Sequence, residues 1–482
     1  MTASYAVAER NDQIFEVTMS MPSTSAAVSS PADTQTRSRR AVIALLTRLH
    51  FYIGIFVGPF LLVAALSGSL YALSPQIESR LYAHQLFTDS VGAAQPLALQ
   101  IEAAQAVVGD LDMLAAVRPA PEQGMTTRVM FAEPGLRPSE TRAIFVDPVT
   151  REVRGDLIVY GTSGALPLRG WLDHFHRGLQ LDDVGRLYSE LAASWLWIAA
   201  LGGLTLWIVR ARAQRHARAV TPPSGLRRWH ARLGLWALLG LLFFSATGLT
   251  WSQYAGSNIG VLRAQFGWST PSVATDLKAS APNAMGGMGE HAEHMMSTTP
   301  SAAVNPATFD TVLDAARAAG INAGMVEVRP AAADDKAWTV TEIDRRWPTQ
   351  VDSVAIDPRS GAVVDRADFK DYPLAAKLTR WGIDAHMGTL FGLANQLILV
   401  AAASALIVMV VWGYLMWWRR RPSLTALYGP WRTLRQLSPQ AQAVTLAIAA
   451  VLGYCLPVLG VSLLLFLMLD GLLTLIVRRQ GA

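Results

Sequence analysis

The segment Arg48-Leu49-His50-Phe51-Tyr52-Ile53-Gly54 returns 180 positions later as Arg228-Trp229-His230-Ala231-Arg232-Leu233-Gly234, with Arg, His and Gly in the same relative places. Each copy opens a long apolar run, and within the runs Ser67-Gly68 is answered by Thr247-Gly248 at the same offset. About 20 apolar residues suffice for a helix to cross a bilayer, and Phe51–Leu73 holds no charged residue. Only 16% of the 482 residues are charged and 51% are hydrophobic. A soluble domain carries about 25% charge, so the composition is that of a membrane protein.

Six spans are predicted, at residues 41–73, 186–210, 229–252, 386–418, 441–456 and 457–478. The last two form a hairpin broken at Gly453-Tyr454-Cys455-Leu456-Pro457, because proline removes a backbone donor and clashes with the preceding turn. Residues 1–40 are rich in Ser, Thr and Ala and end in Arg37-Ser38-Arg39-Arg40. They read as a disordered cytoplasmic tail rather than a cleaved signal peptide, since the apolar segment that follows is too long for one. Alternating six spans places every basic cluster on one side: the tail, the loop 211–228, the loop 419–440 and Arg478/Arg479. The positive-inside rule makes that side the cytoplasm. The expected location is the cell inner (cytoplasmic) membrane, with both termini cytoplasmic and loops 74–185 and 253–385 in the periplasm of a Gram-negative cell.

The two outer loops also match each other. Each begins with a helical segment, Pro96–Val108 and Pro306–Ala319, the second with Asn305 as its N-cap. Val-Arg-Pro-Ala occurs at Val117–Ala120 and at Val328–Ala331, offset 211. Ile144-Phe145-Val146-Asp147-Pro148 and Val354-Ala355-Ile356-Asp357-Pro358 each read as a strand entering a tight turn. Trp171 and Trp381, His176 and His386, and Gly178 and Gly388 then share an offset of 210. The expected fold class is therefore an α-helical integral membrane protein with two extracytoplasmic α+β domains. It is a tandem duplication of a helix–domain–helix unit plus a C-terminal helical hairpin, a parallel repeat with its axis along the membrane normal. The second copy carries an insertion at 283–300 that includes Met288, His291, His294 and Met295.

A parallel repeat brings His50 to His230 at one membrane face and His176 to His386 at the other. Two imidazoles can ligate one haem iron axially; the alternative is that these histidines are interfacial residues bonded to headgroups or carbonyls. Arg48 and Arg228, two residues before the cytoplasmic pair, are candidates for haem propionates, which suit a guanidinium fork, or are ordinary positive-inside anchors. His174 is turned to the opposite helix face from His176 and has no counterpart. His84 and His216 are poor ligand candidates. The Met/His insertion offers thioether and imidazole ligands that suit copper, or is a flexible loop of low complexity. Asp470, eight residues before Arg478, reads as an ion-paired or snorkelling structural acid. The single cysteine, Cys455, excludes an internal disulfide, covalent haem attachment and a four-thiolate cluster. No glycine-rich dinucleotide fingerprint and no phosphate-binding loop occurs, and nothing indicates nucleic-acid binding. Electrons would then come from membrane quinol, a reduced flavin or a partner protein.

The duplicated helix–domain–helix plan, the Leu49-His50 and Trp229-His230 steps at helix mouths and the Asp-Pro-x-Thr/Ser turns resemble the PepSY-associated transmembrane proteins over residues 41–420. The resemblance implies PepSY-like outer domains and, as in members that are inner-membrane ferric-siderophore reductases, b-type haem. Two bis-histidine haems b and a periplasmic ferric chelate or siderophore as substrate are the expectation, making the chain a transmembrane haem-dependent ferric reductase. Two other readings stand: a non-enzymatic membrane protein whose outer domains bind peptides or inhibit a protease, and a copper-handling membrane protein.

Overall fold

The computed structural model describes residues 31–109, 113–216, 225–277, 304–420 and 433–480. Helix α1 (Pro31–Tyr52), a π-helical turn (Ile53–Val57) and α2 (Gly58–Leu81) run on as one rod. The π turn loosens the backbone ladder, and Tyr414 uses the opening: its hydroxyl donates to the Ile55 carbonyl at 2.6 Å. Four helices are long and apolar enough to cross a membrane: Arg39–Leu81, Asp182–Arg215, Gly225–Thr250 and Gly392–Arg420. Large apolar side chains on them, such as Phe56, Leu70, Trp236, Leu239 and Ile398, remain exposed. A soluble protein rarely leaves so much contiguous apolar surface uncovered. Inward, Leu61, Ala65, Ala192, Leu196, Leu241, Ala403 and Leu406 form the bundle core. Its small residues let backbones approach closely.

Of the six expected spans, the last two are shorter apolar helices by this measure. The tail is a helical hairpin, Pro439–Cys455 and Pro457–Gln480, interrupted at Leu456. Ser438 caps its first helix by accepting from the Ala441 amide at 3.3 Å. The hairpin docks through Trp195, whose indole N–H donates to Ser462 Oγ at 3.0 Å.

His176 and His386 precede the second and fourth spans, as expected of them, and each lies in the last turn of a separate short helix, α3 (Pro167–Gly178) and α4 (Leu374–His386). After α4 the chain turns at Gly388, whose φ of +77° is costly for any residue with a side chain. The span begins only at Gly392, as α5 (Gly392–Arg420). The other two spans lie in α6 (Asp182–His216) and α7 (Gly225–Thr250).

The outer loops supply β1 (Leu114–Arg118), β2 (Thr127–Phe131), β3 (Glu140–Val146) and β4 (Val153–Tyr160), then β5 (Val326–Arg329), β6 (Trp338–Glu342), β7 (Ser353–Ile356) and β8 (Val363–Ala367). These do not form two separate sheets. They make one eight-stranded antiparallel sheet in the order β4-β3-β2-β1-β5-β6-β7-β8. Val117 pairs with Val328 at the join, the positions that the offset of 211 makes equivalent. Pairing there satisfies two strands that would otherwise be bare edges. A common core of Ile101, Val117, Phe131, Ile144, Phe309, Val312, Val328 and Ile356 runs under both halves. The helices that cover it are Leu97–Val108 and Ala307–Ala318, and Asn305 Oδ1 accepts from the Ala307 amide at 3.1 Å, the expected cap. At both Asp-Pro turns the aspartate folds back: Asp147 Oδ1 accepts from the Val149 amide at 2.8 Å and Asp357 Oδ1 from that of Arg359 at 3.0 Å.

Glu327 sits beside the join, fully buried between Arg118 (2.6 Å) and Arg329 (2.5 Å). Burial on its own would raise the Glu327 carboxyl, but Arg329 and Arg118 outweigh it and hold it down to about 2.

Candidate functional site

The bundle holds two facing histidine pairs, one at each end. His50 and His230 lie far from the sheet, with ring centroids 6.4 Å apart and planes at 83°. His176 and His386 lie beneath the sheet, with centroids 6.5 Å apart and planes at 47°. Along the first rod, His50 and Gly68, which touches His176 from below, are 18 residues apart, a rise of roughly 27 Å. The pairs are thus separated by about the thickness of a bilayer's hydrocarbon core.

The hydrogen bonds around the rings fix their tautomers. His50 Nδ1 lies 3.0 Å from the Ala199 carbonyl, which can only accept, so Nδ1 carries the proton. The Ser67 hydroxyl donates to the Val63 carbonyl at 2.7 Å, leaving its oxygen to accept from His176 Nδ1 at 2.9 Å. Thr247 repeats this arrangement. It donates to the Phe243 carbonyl at 2.7 Å and accepts from His386 Nδ1 at 2.7 Å. In all three rings Nε2 is therefore the nitrogen with a free lone pair. The Met409 backbone, 210 positions after Ala199, acts on the His230 ring, but short of hydrogen-bonding geometry. His230 Nδ1 is accordingly a buried polar atom without a partner among the described residues.

Glycines cradle two of the rings. A methyl group at Gly203 would stand 3.1 Å from His50 Cε1, and one at Gly68 would stand 3.1 Å from His176 Cε1. Aromatic walls hold His386: Phe244 and Trp251 lie edge-on to it at 5.7 and 5.8 Å.

These features can be tested against a bis-histidine metal. Two imidazole nitrogens at ~2 Å from a shared metal put the ring centroids roughly 6.3 Å apart, close to both observed separations. A structural zinc wants four protein ligands, and no group of three or more His, Cys, Asp or Glu side chains suited to a metal occurs among the described residues. Paired axial nitrogens with no further protein ligand suit an iron whose equatorial positions are filled by a macrocycle. The residues therefore fit haem.

The remaining candidates are placed differently. Arg48 bonds through Nη1 to Thr433 Oγ1, and Arg228 is exposed at the start of α7. His174 points away from the pair. Its ring lies 4.5 Å from Tyr160 and its Nε2 3.8 Å from Glu140 Oε1, in a cavity of about 200 Å³ also lined by Arg137 and Trp171. His84 Nδ1 lies 2.8 Å from the Arg154 carbonyl on the exposed surface. Met288, His291, His294 and Met295 lie outside the described residues. Sequence reasoning missed Gly203 and the carbonyl of Ala199. It noted Ser67 and Thr247 only as repeat markers, although a hydroxyl beside glycine in both apolar runs was the available signal.

No curated protein matches the chain. The family model for the PepSY-associated TM region matches residues 47–420, from just before His50 to the end of α5. It takes in both histidine pairs and the whole sheet, and leaves out the tail hairpin. The chain is a membrane protein that belongs to the PepSY-associated TM family.

Proposed function

We propose that this protein is an inner-membrane b-type haem protein that passes electrons across the membrane to a ferric chelate on the sheet side, in the manner of a ferric-siderophore reductase. The observation that carries the reading is the orientation of the imidazoles: Nδ1 is committed to a carbonyl or hydroxyl in three of the four, at centroid separations of 6.4 and 6.5 Å. A ligating histidine whose other nitrogen donates to a backbone or side-chain oxygen is fixed in tautomer and orientation. His50 and His230 would hold one haem and His176 and His386 the other. Bound haem supplies one-electron redox chemistry.

The protein's own contribution is positioning. Ser67, Thr247 and the Ala199 carbonyl orient the rings, Gly68 and Gly203 make room for them, and the apolar bundle keeps water from the path between the two levels. Two equivalent half-units related by an axis along the membrane normal account for the pairing of equivalent residues at every level, from His50 with His230 to Val117 with Val328. On this reading the sheet faces the periplasm and the His50 side the cytoplasm. Reduction of ferric iron to ferrous weakens its hold on hard oxygen ligands and releases it from the chelate. Electrons would reach the His50 side from a membrane quinol, a reduced flavin or a partner protein.

The test is an absorption spectrum of the purified protein with and without dithionite. A Soret band with sharpened reduced bands is expected, from haem extractable by acid acetone because no cysteine tethers it. A colourless protein from haem-replete cells refutes the proposal and favours peptide binding by the sheet.

A further inference from the structure

A half-buried cation close to the sheet-side pair has no role in the site described so far. Arg169 belongs to α3, seven residues before His176. Seven residues are nearly two full helical turns, so both side chains leave the same face about 10 Å apart. The direction of that displacement follows from α2. His176 packs on Gly68, while the Arg169 amide donates to Glu78 Oε1 at 2.8 Å, ten residues further along. The two helices are therefore antiparallel, and Arg169 stands on the sheet side of His176.

Its guanidinium lies 4.7 Å from the Tyr71 ring centroid. Both Nε and Nη2 are buried with no hydrogen-bond partner among the described residues. The nearby carboxylates do not supply one. Glu78 accepts from the backbone of Arg169 rather than its side chain, and Asp173 Oδ2, 4.0 Å from Arg177 Nε, makes no hydrogen bond among the described residues. Two buried donors left open on one guanidinium, Nε and Nη2, call for a planar acceptor with two oxygens. The second half of the chain has no equivalent, since position 379 is a threonine.

We propose that Arg169 is the binding site for a carboxylate of the sheet-side cofactor, a haem propionate held by its Nε and Nη2. The proposal rests on the haem reading above. His176 and His386 would hold the cofactor, and Arg169, on the sheet side of His176, would meet its carboxylates there. The sequence offered Arg48 and Arg228 as propionate partners, or as positive-inside anchors, at the opposite end of the bundle, and no arginine for this one. Among the described residues, Arg169 is the guanidinium beside a histidine pair whose Nε and Nη2 are buried and open.

The experiment uses full-length purified protein, wild type against Arg169→Leu and Arg169→Lys. It measures haem per protein, potentiometric titration of each haem, and the rate of haem loss to an excess of apomyoglobin. In Arg169→Leu, one haem should be lost about tenfold faster, the scale of one charge-assisted hydrogen bond. Its midpoint potential should fall, because a cation beside the haem favours the reduced state. The other haem should be unchanged, and Arg169→Lys should recover part of both effects. Reconstitution with haem dimethyl ester supplies an arm that needs no mutation. The ester should leave wild type faster than haem does, yet leave Arg169→Leu no faster than haem. Equal loss rates and potentials in wild type and Arg169→Leu, or an ester effect undiminished in the variant, would overturn the assignment while leaving the haem reading intact. A colourless wild type would instead remove the reading on which the assignment rests.

Discussion

Thr247 and His386, 139 residues apart, meet at 2.7 Å between a hydroxyl oxygen and an imidazole nitrogen. The hydroxyl's own proton is committed to the Phe243 carbonyl, so the threonine can only accept. Replacing Thr247 by Val keeps the shape but strands a buried N–H, at a cost of about 1–3 kcal/mol. The His386 ring then loses its fixed tautomer. The sheet-side haem should be held more weakly in Thr247→Val and about normally in Thr247→Ser, as measured by haem retention on a desalting column.

The ligand pairs are not interchangeable. His230→Ala should remove the haem far from the sheet, leaving one that dithionite reduces but the physiological donor does not. His386→Ala should remove the sheet-side haem, leaving one that the donor reduces but that cannot pass electrons to an external ferric chelate. Each variant should keep about half the wild-type haem, since on the proposed reading each pair holds one iron. If both lose all haem while remaining folded, the assignment of one haem to each pair fails and the two-level relay is abandoned.

Gly203 offers a subtler probe of the same division. A side chain there collides with the His50 ring, whose Cε1 would stand 3.1 Å from even a methyl group. Gly203→Val should therefore deplete the His50–His230 haem while sparing the other, visible as the loss of one of two components in a redox titration. Equal loss from both sites would mean that the glycine supports the bundle rather than the ring.

Glu327 makes the sheet sensitive to acid. Its carboxyl is depressed from 4.5 to about 2, so as pH falls the unfolded chain takes up the proton first. The stability it contributes is complete above about 4.5 and is lost as pH approaches 2. Glu327→Gln strands Arg118 and should destabilise the sheet by roughly 3–5 kcal/mol near neutral pH. The gap in thermal unfolding midpoint between wild type and Glu327→Gln should narrow between pH 5 and 3. A gap independent of pH would show that packing rather than charge is lost.

Deleting residues 283–300 should leave haem content intact, because the segment lies outside the positions that the two halves share. Loss of tight Cu(I) binding together with lowered copper tolerance in the deletion strain would establish a separate metal function for Met288, His291, His294 and Met295.

Much of this arrangement is readable from spacing alone. The offsets of 180 and 210 select His50 with His230 and His176 with His386 from nine histidines, and the rings of each chosen pair do face each other. The turn aspartates, the Asn305 cap and the break before Pro457 are local signals, and local chemistry decides them. What spacing could not supply was the pairing of Val117 with Val328, because strand adjacency across 211 residues leaves no periodic mark. Arg169 was equally hidden. An arginine seven residues before a histidine is unremarkable until α2 shows which way the helix points and that no carboxylate takes its side chain.

The shared sheet has a mechanical consequence for the bundle below it. α2 leads into β1 through β4, and α7 into β5 through β8, so the strands that meet at Val117 and Val328 act as a yoke across the two halves. The gap between His176 and His386 is then set partly from outside the membrane, by eight hydrogen-bonded strands that resist being drawn apart. Among the described residues, the pair at the far end has no such brace. Any breathing of the bundle must open like a hinge, wide at His50 and His230 and narrow beneath the sheet.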